Sequence, residues 1–215
     1  MGGRGASGGG IAGGRGGGSG ARILGTRSLV SERERAREAV DQVLTALKRV
    51  NKQYGAVVEE AQIAKFDKRG AGIMAYYDYG DNIAINERYF DPAKMDTTYD
   101  DCVKAGFHPS RGSKSGLEAT TAHEAGHKLT EMLGEKAGYG KWAIDKVSGE
   151  IVKEAAQKLG YGDRTQALMK RISGYGAQNA AEAVAEAYAD YYCNGNKASR
   201  ESRMVYNILR RRLSK

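Results

Sequence analysis

Two of the chain's three histidines stand four residues apart, in His123-Glu124-Ala125-Gly126-His127. Residues at that spacing share one face of an α-helix, so both imidazoles can point at a single metal ion. Glu124 lies about 100° further round, at 3.6 residues per turn, within reach of a water at that metal. Two neutral imidazoles, a carboxylate and one open position suit Zn2+. The H-E-x-x-H pattern carries this chemistry in zinc metallopeptidases, with the glutamate as general base.

Such a site needs a third protein ligand. The run from Asn179 to Asp190 is alanine-rich and strongly helical, and Glu182, Glu186 and Asp190 recur in it every four residues. They share one helix face. Val184, Tyr188 and the alanines between them give that face a buried character. A buried carboxylate needs a partner, such as a metal or the second nitrogen of a ligating histidine. The other reading is an acidic, solvated side of a surface helix.

Several blocks keep a common order: Ala75-Tyr76-Tyr77, Ile83 to Asn86, Ala105-Gly106-Phe107-His108-Pro109, His123 to His127, Ser173-Gly174-Tyr175, and Glu182 to Tyr188. From about Gln53 onward the chain resembles the anthrax-lethal-factor-like and Pro-Pro-endopeptidase group of gluzincins. It is similar, more closely, to the zincin domains of phage minor-head proteins. The resemblance implies an α+β zincin fold: a small mixed sheet whose edge hairpin packs on the motif helix, then a mostly helical C-terminal half. It also implies bound Zn2+ and a peptidase-type site, though not that this member cleaves anything. The expected function is a phage- or prophage-encoded metalloendopeptidase acting on a peptide or protein substrate. Phage head proteins would be partners, in the bacterial cytoplasm or on the virion. The alternative is a structural or head-morphogenesis protein with the same fold and no proteolytic role.

The resemblance also offers two registers for the third ligand. Thermolysin-like enzymes follow the ligand Glu with an Asp four residues later, which selects Glu186 and Asp190. Lethal-factor-like zincins place a Tyr seven residues before the ligand Glu and a second Glu four after it. That selects Tyr175, Glu182 and Glu186 and accounts for more residues, with Asn179 as the helix N-cap. The expected metal ligands are then His123, His127 and Glu182. Glu124 is the expected base, Tyr175 the donor to the oxyanion, and Glu186 the group that holds a ligating histidine in its tautomer.

The elements that position these residues follow from periodicity. Leu117, Ala119, Ala122, Leu129, Met132 and Leu133 form an apolar stripe, which predicts a half-buried helix over Glu118 to Leu133. Ser31 and Glu34 make a capping box for a packing helix that carries Val40, Val43, Leu47 and Val50 and ends near Asn51 to Gly55. Ala61–Phe66, Gly72–Tyr77 and Asn82–Asn86 read as strands, the last two joined by Asp78-Tyr79-Gly80-Asp81 as a hairpin. In zincins the edge strand takes up the substrate by strand addition, and by resemblance the hairpin around Tyr76 to Asn86 supplies that edge. Asp91 to Ser115 reads as irregular, with His108, before Pro109, as a surface residue. Further helices are expected over Trp142–Leu159, from an Asp163 cap to Arg171, and from about Lys197, with Trp142 in the core.

Composition sets the outer bounds. At 40% hydrophobic and 28% charged residues, the chain reads as one soluble domain over 29–215 behind a disordered Gly/Arg-rich tail over 1–28. No apolar run reaches eighteen residues, which excludes a transmembrane helix and a membrane partner, and no signal-peptide core is visible. Cys102 and Cys193 lack metal-site spacing and fit reduced thiols. The net charge of +8 is partly local, with Lys197, Arg200, Arg203, Arg210 to Arg212 and Lys215 crowding the C-terminal segment. A nucleic-acid partner is one reading of this basic helix. The other is an amphipathic helix with Met204, Val205, Ile208 and Leu209 inward and the arginines in water.

Overall fold

The computed structural model describes residues 22–24, 33–55, 57–58, 60–67, 70, 72–78, 82–140 and 143–214. The expectations for Ser31, the turn over 79–81 and Trp142 lie outside these residues, as does the tail apart from 22–24.

The strands are β1 (Arg22–Leu24), β2 (Glu60–Ala64), β3 (Ala75–Tyr77) and β4 (Asn82–Asn86). They form one mixed sheet in the order β1-β2-β4-β3. Strand β1 pairs in parallel with β2, and β2 in parallel with β4, with Ala61 opposite Ile83. Strand β3 pairs antiparallel with β4, Ala75 opposite Ile85, and is one of the two edges, β1 being the other. Residues 22–24, inside the span read as a tail, pair here with β2, a long-range contact that composition does not reveal. Helix α1 (Arg33–Tyr54) is the crossover that a parallel β1–β2 pair requires. Its Ala39, Val43, Ala46, Leu47 and Val50 are wholly buried at helical spacing. Inner strand β4 buries Ile83, Ala84, Ile85 and Asn86 in succession, as a strand covered on both faces does.

From Pro92 onward the described chain is helical: α2 (Pro92–Lys104), α3 (Gly116–Lys136), α4 (Ile144–Lys158), α5 (Thr165–Ile172), α6 (Ala180–Asn194) and α7 (Arg200–Leu213). The architecture is α+β. Helix α2 corrects the irregular reading of 91–115. Asp91 accepts the Lys94 N–H at 2.9 Å and Pro92 sits in the first turn, where its missing N–H costs nothing. Only 105–115 is loop, and it is tethered. The Arg111 guanidinium forks onto Asp100 at 2.7 and 2.9 Å, and Asn194 Nδ2 donates to the Ser110 carbonyl at 2.6 Å.

Helix α3 starts at a reciprocal capping box. The Glu118 N–H donates to Ser115 Oγ at 3.1 Å, and the Ser115 N–H donates to Glu118 Oε2 at 3.3 Å. The helix is not half-buried as expected. It is buried on nearly every face, because α1, α2, α4, α6 and β3 all pack against it, α6 most extensively. Burying one leucine such as Leu129 stabilises the fold by roughly 1.5–3 kcal/mol.

Two further expectations change. Asp163 does not cap α5, whose N-cap is Arg164 with no side-chain hydrogen bond. Helix α7 begins at Ser199, which accepts the Ser202 N–H at 3.0 Å. Val205, Ile208 and Leu209 face inward, while Arg212 reaches Glu150 and both Arg211 and Arg212 reach Glu154 on α4. Cys102 and Cys193 are free thiols. No described helix is long and apolar enough to cross a membrane.

Candidate metal centre

The two site helices meet at a glycine. A Cβ on Gly126 of α3 would stand 2.8 Å from the Ala185 Cα of α6, so the backbones approach directly. Ala185 lies between Glu182 and Glu186, and the closest approach therefore carries both carboxylates to the histidine face of α3. Asn179 caps α6 by accepting the Glu182 N–H at 2.9 Å, as expected. Glu182 sits in the first turn, where the helix dipole favours negative charge.

His123 Nε2 lies 3.1 Å and His127 Nε2 3.4 Å from Glu182 Oε2. One ligand atom from each of these three residues falls within 4.8 Å of the others. Glu182 Oε2 is fully buried, yet neither contact has hydrogen-bond direction. Three donor atoms that crowd one point without bonding to each other fit a cation between them. Burial opposes the charge on Glu182, but His123 and His127 outweigh it and hold its pKa well below the carboxylate range. Burial likewise opposes charge on His123, and Glu182 and Glu186 reverse that, raising its pKa well above the usual value.

Glu186 is 1% exposed, and its Oε1 lies 2.8 Å from His123 Nδ1, the position expected of it. Asp190 is elsewhere. It accepts Asn194 Nδ2 at 2.8 Å and the Ser199 N–H at 3.0 Å, joining the end of α6 to the start of α7. Of the two registers, the geometry gathers the one with Glu182.

Glu124 is buried one position after His123, and the backbone N–H of Tyr77 on β3 holds its carboxylate. Burial raises its pKa; the two imidazoles pull the other way without cancelling this. Tyr175 is half-buried, its ring 5.7 Å from that of His123. Burial first, then the Glu182, Glu124 and Glu186 carboxylates, raise its pKa, so the phenol stays protonated at neutral pH. Its loop pairs with the loop after α2: the Gly174 N–H donates to the Gly106 carbonyl at 2.8 Å, and the Tyr175 N–H to that of Phe107 at 2.9 Å. A Cβ on Gly174 would stand 2.9 Å from that Gly106 oxygen, which explains the glycine.

Two groups went unassigned in the sequence. His108 is not a surface residue: its side chain is 8% exposed and Nδ1 lies 3.0 Å from Glu186 Oε1. The partners are 78 positions apart, and no local pattern links them. The second is a buried network one turn further along α3. Lys128 Nζ lies 3.0 Å from Glu131 Oε2, and the Tyr77 hydroxyl donates to the same oxygen. Lys128 and Glu131 are 5% and 0% exposed. Only the i,i+3 spacing of this pair could have signalled it.

No protein-family model, curated protein or solved structure matches the chain.

Proposed function

We propose that the chain is a Zn2+-dependent endopeptidase of the zincin type, hydrolysing peptide bonds in a protein substrate. The observation that carries this reading is the convergence of His123, His127 and Glu182 beside a buried Glu124 on the same helix. Two imidazoles and a carboxylate are the ligand set of hydrolytic zinc, and His123, His127 and Glu182 would hold the ion. When bound, Zn2+ supplies Lewis acidity that lowers the pKa of water and polarises a carbonyl oxygen.

The chain's own residues supply the rest. Glu124 accepts a proton from the attacking water as its oxygen adds to the scissile carbonyl carbon. It then delivers that proton to the amine nitrogen as the C–N bond breaks. Its raised pKa suits both halves of this transfer. Tyr175 donates a hydrogen bond to the carbonyl oxygen as charge develops there. Glu186 orients His123. Edge strand β3 runs beside α3, the place from which a sheet takes up an extended peptide. The ordered residue blocks support a phage or prophage origin. Glu124 and Tyr175 argue against a purely structural metal, which uses neither a base nor an oxyanion donor.

The test is zinc stoichiometry by elemental mass spectrometry, followed by cleavage of a peptide library. About one zinc per chain is expected, lost in His127→Ala and Glu182→Ala, with peptide cleavage that Glu124→Gln abolishes. Absence of zinc after reconstitution would overturn the reading. Full zinc without cleavage of any peptide would favour the head-morphogenesis role.

A further inference from the structure

The Glu186 carboxylate is almost completely buried and has an imidazole on each side. His123 Nδ1 and His108 Nδ1 stand 2.8 and 3.0 Å from the same oxygen, Oε1. Only the His108 contact has hydrogen-bond direction. Among the described residues, then, His108 is what orients the Glu186 carboxylate, and Glu186 in turn faces the ring of His123. We infer that His108 is a positioning residue for the metal centre: by fixing Glu186 against Nδ1 of His123, it fixes which nitrogen His123 presents to the metal. The inference rests on His123 being a metal ligand and extends that reading one residue outward.

The chemistry follows from the inventory of the imidazole. A carboxylate accepts only, so the His108 Nδ1 that bonds Oε1 carries a hydrogen, and a bare Nδ1 on His123 would set its lone pair against the same oxygen 2.8 Å away. With the proton on Nδ1, neutral His123 leaves Nε2 bare, and Nε2 is the atom aimed at Glu182 and His127. A carboxylate free to rotate would release His123 to either tautomer, one of which cannot bind a metal through Nε2. Buried, it also needs a donor to remain ionised there.

His108 is itself well held. Its ring stacks on Tyr99 at 5.2 Å and 14°, and Tyr99 is 3% exposed. Its ring stands edge-on to Tyr175 at 5.4 Å. The two main-chain bonds from Gly174 and Tyr175 to residues 106 and 107 pin the loop just before it. The imidazole is thus held on both its stacking face and its backbone side, as a group that orients another must be.

Two substitutions separate the donor from the ring. His108→Phe keeps a ring on Tyr99 and removes the N–H. His108→Asn returns an amide N–H near the Nδ1 position and removes the ring. The measurement is the zinc dissociation constant of each folded, metal-free protein by chelator competition, beside circular dichroism and the visible spectrum of the cobalt form. His108→Phe is expected to weaken zinc by about 10–100-fold, the usual effect of losing a ligand's outer partner, and to alter the cobalt bands. His108→Asn is expected to recover most of that loss. Wild-type affinity in His108→Phe, or equal weakening in both variants, would overturn the inference and leave the metal reading intact. Nitrogen-edited NMR of the unsubstituted zinc protein tests it without any variant: the hydrogen of His108 is expected on Nδ1, and an Nε2–H tautomer would overturn it. Absence of zinc from the wild type would overturn the metal reading and this inference together.

Discussion

Gly126 and Ala185 touch backbone to backbone, with 2.8 Å between the Ala185 Cα and the place a Gly126 Cβ would occupy. Real Cβ atoms do not come that close, and the obstacle is backbone rather than a flexible side chain. Gly126→Ala must therefore part α3 from α6 and draw Glu182 away from the two imidazoles. Overpacking of this kind costs about 1–3 kcal/mol. A lowered Tm together with weaker zinc binding is expected; an unchanged Tm and zinc affinity would show that the helices close some other way.

The ligand assignment separates two carboxylates on one helix. Glu182→Ala is expected to remove zinc. Asp190→Ala is expected to keep it and to lose about 1–3 kcal/mol of stability, because the half-buried Ser199 end of α7 loses its acceptor. Zinc analysis and urea unfolding on both variants decide this, and the reverse ranking would select the Glu186–Asp190 register.

Tyr175→Phe removes only a phenol oxygen. Loss of an oxyanion donor lowers kcat about 10²–10³-fold, and zinc content is expected to hold. Steady-state kinetics on a cleaved peptide measures it. A change in KM alone would assign Tyr175 to substrate binding.

The metal-free protein has a pH dependence of definite sign. The His108 and His123 imidazoles overcome burial and lower the Glu186 pKa from 4.5 to about 2. A depressed carboxylate stabilises the fold above its unfolded value and loses that contribution as pH falls through the folded one. Urea unfolding of the metal-free protein is expected to weaken steadily between pH 4.5 and about 2. Glu186→Gln is expected to flatten that slope, and an equally steep slope in the variant would assign it to other carboxylates.

How far the sequence could be read depends on the range of each signal. The motif helix, the Asn179 cap and the β3–β4 hairpin are local patterns, and each stands within a few residues of its expected place. Spacing within α6 narrows the third candidate ligand to Glu182, Glu186 or Asp190, and only the resemblance selects Glu182. Helix α2 was missed because Asp-Pro marks a break and a helix start equally well; here Asp91 is the cap and Pro92 the first turn. The all-round burial of α3 was hidden by Lys128 and Glu131, which look solvated in the sequence and satisfy each other inside. His108 and the parallel β2–β4 pairing depend on contacts across long stretches of chain, which no periodicity encodes.

Tyr77 is fastened to α3 at two points: its backbone N–H holds Glu124, and its hydroxyl holds Glu131. The sheet edge and the proposed general base are thus mechanically one part. A peptide that displaced β3 would drag the Glu124 carboxylate with it, so strain on the strand becomes displacement of the proposed proton acceptor.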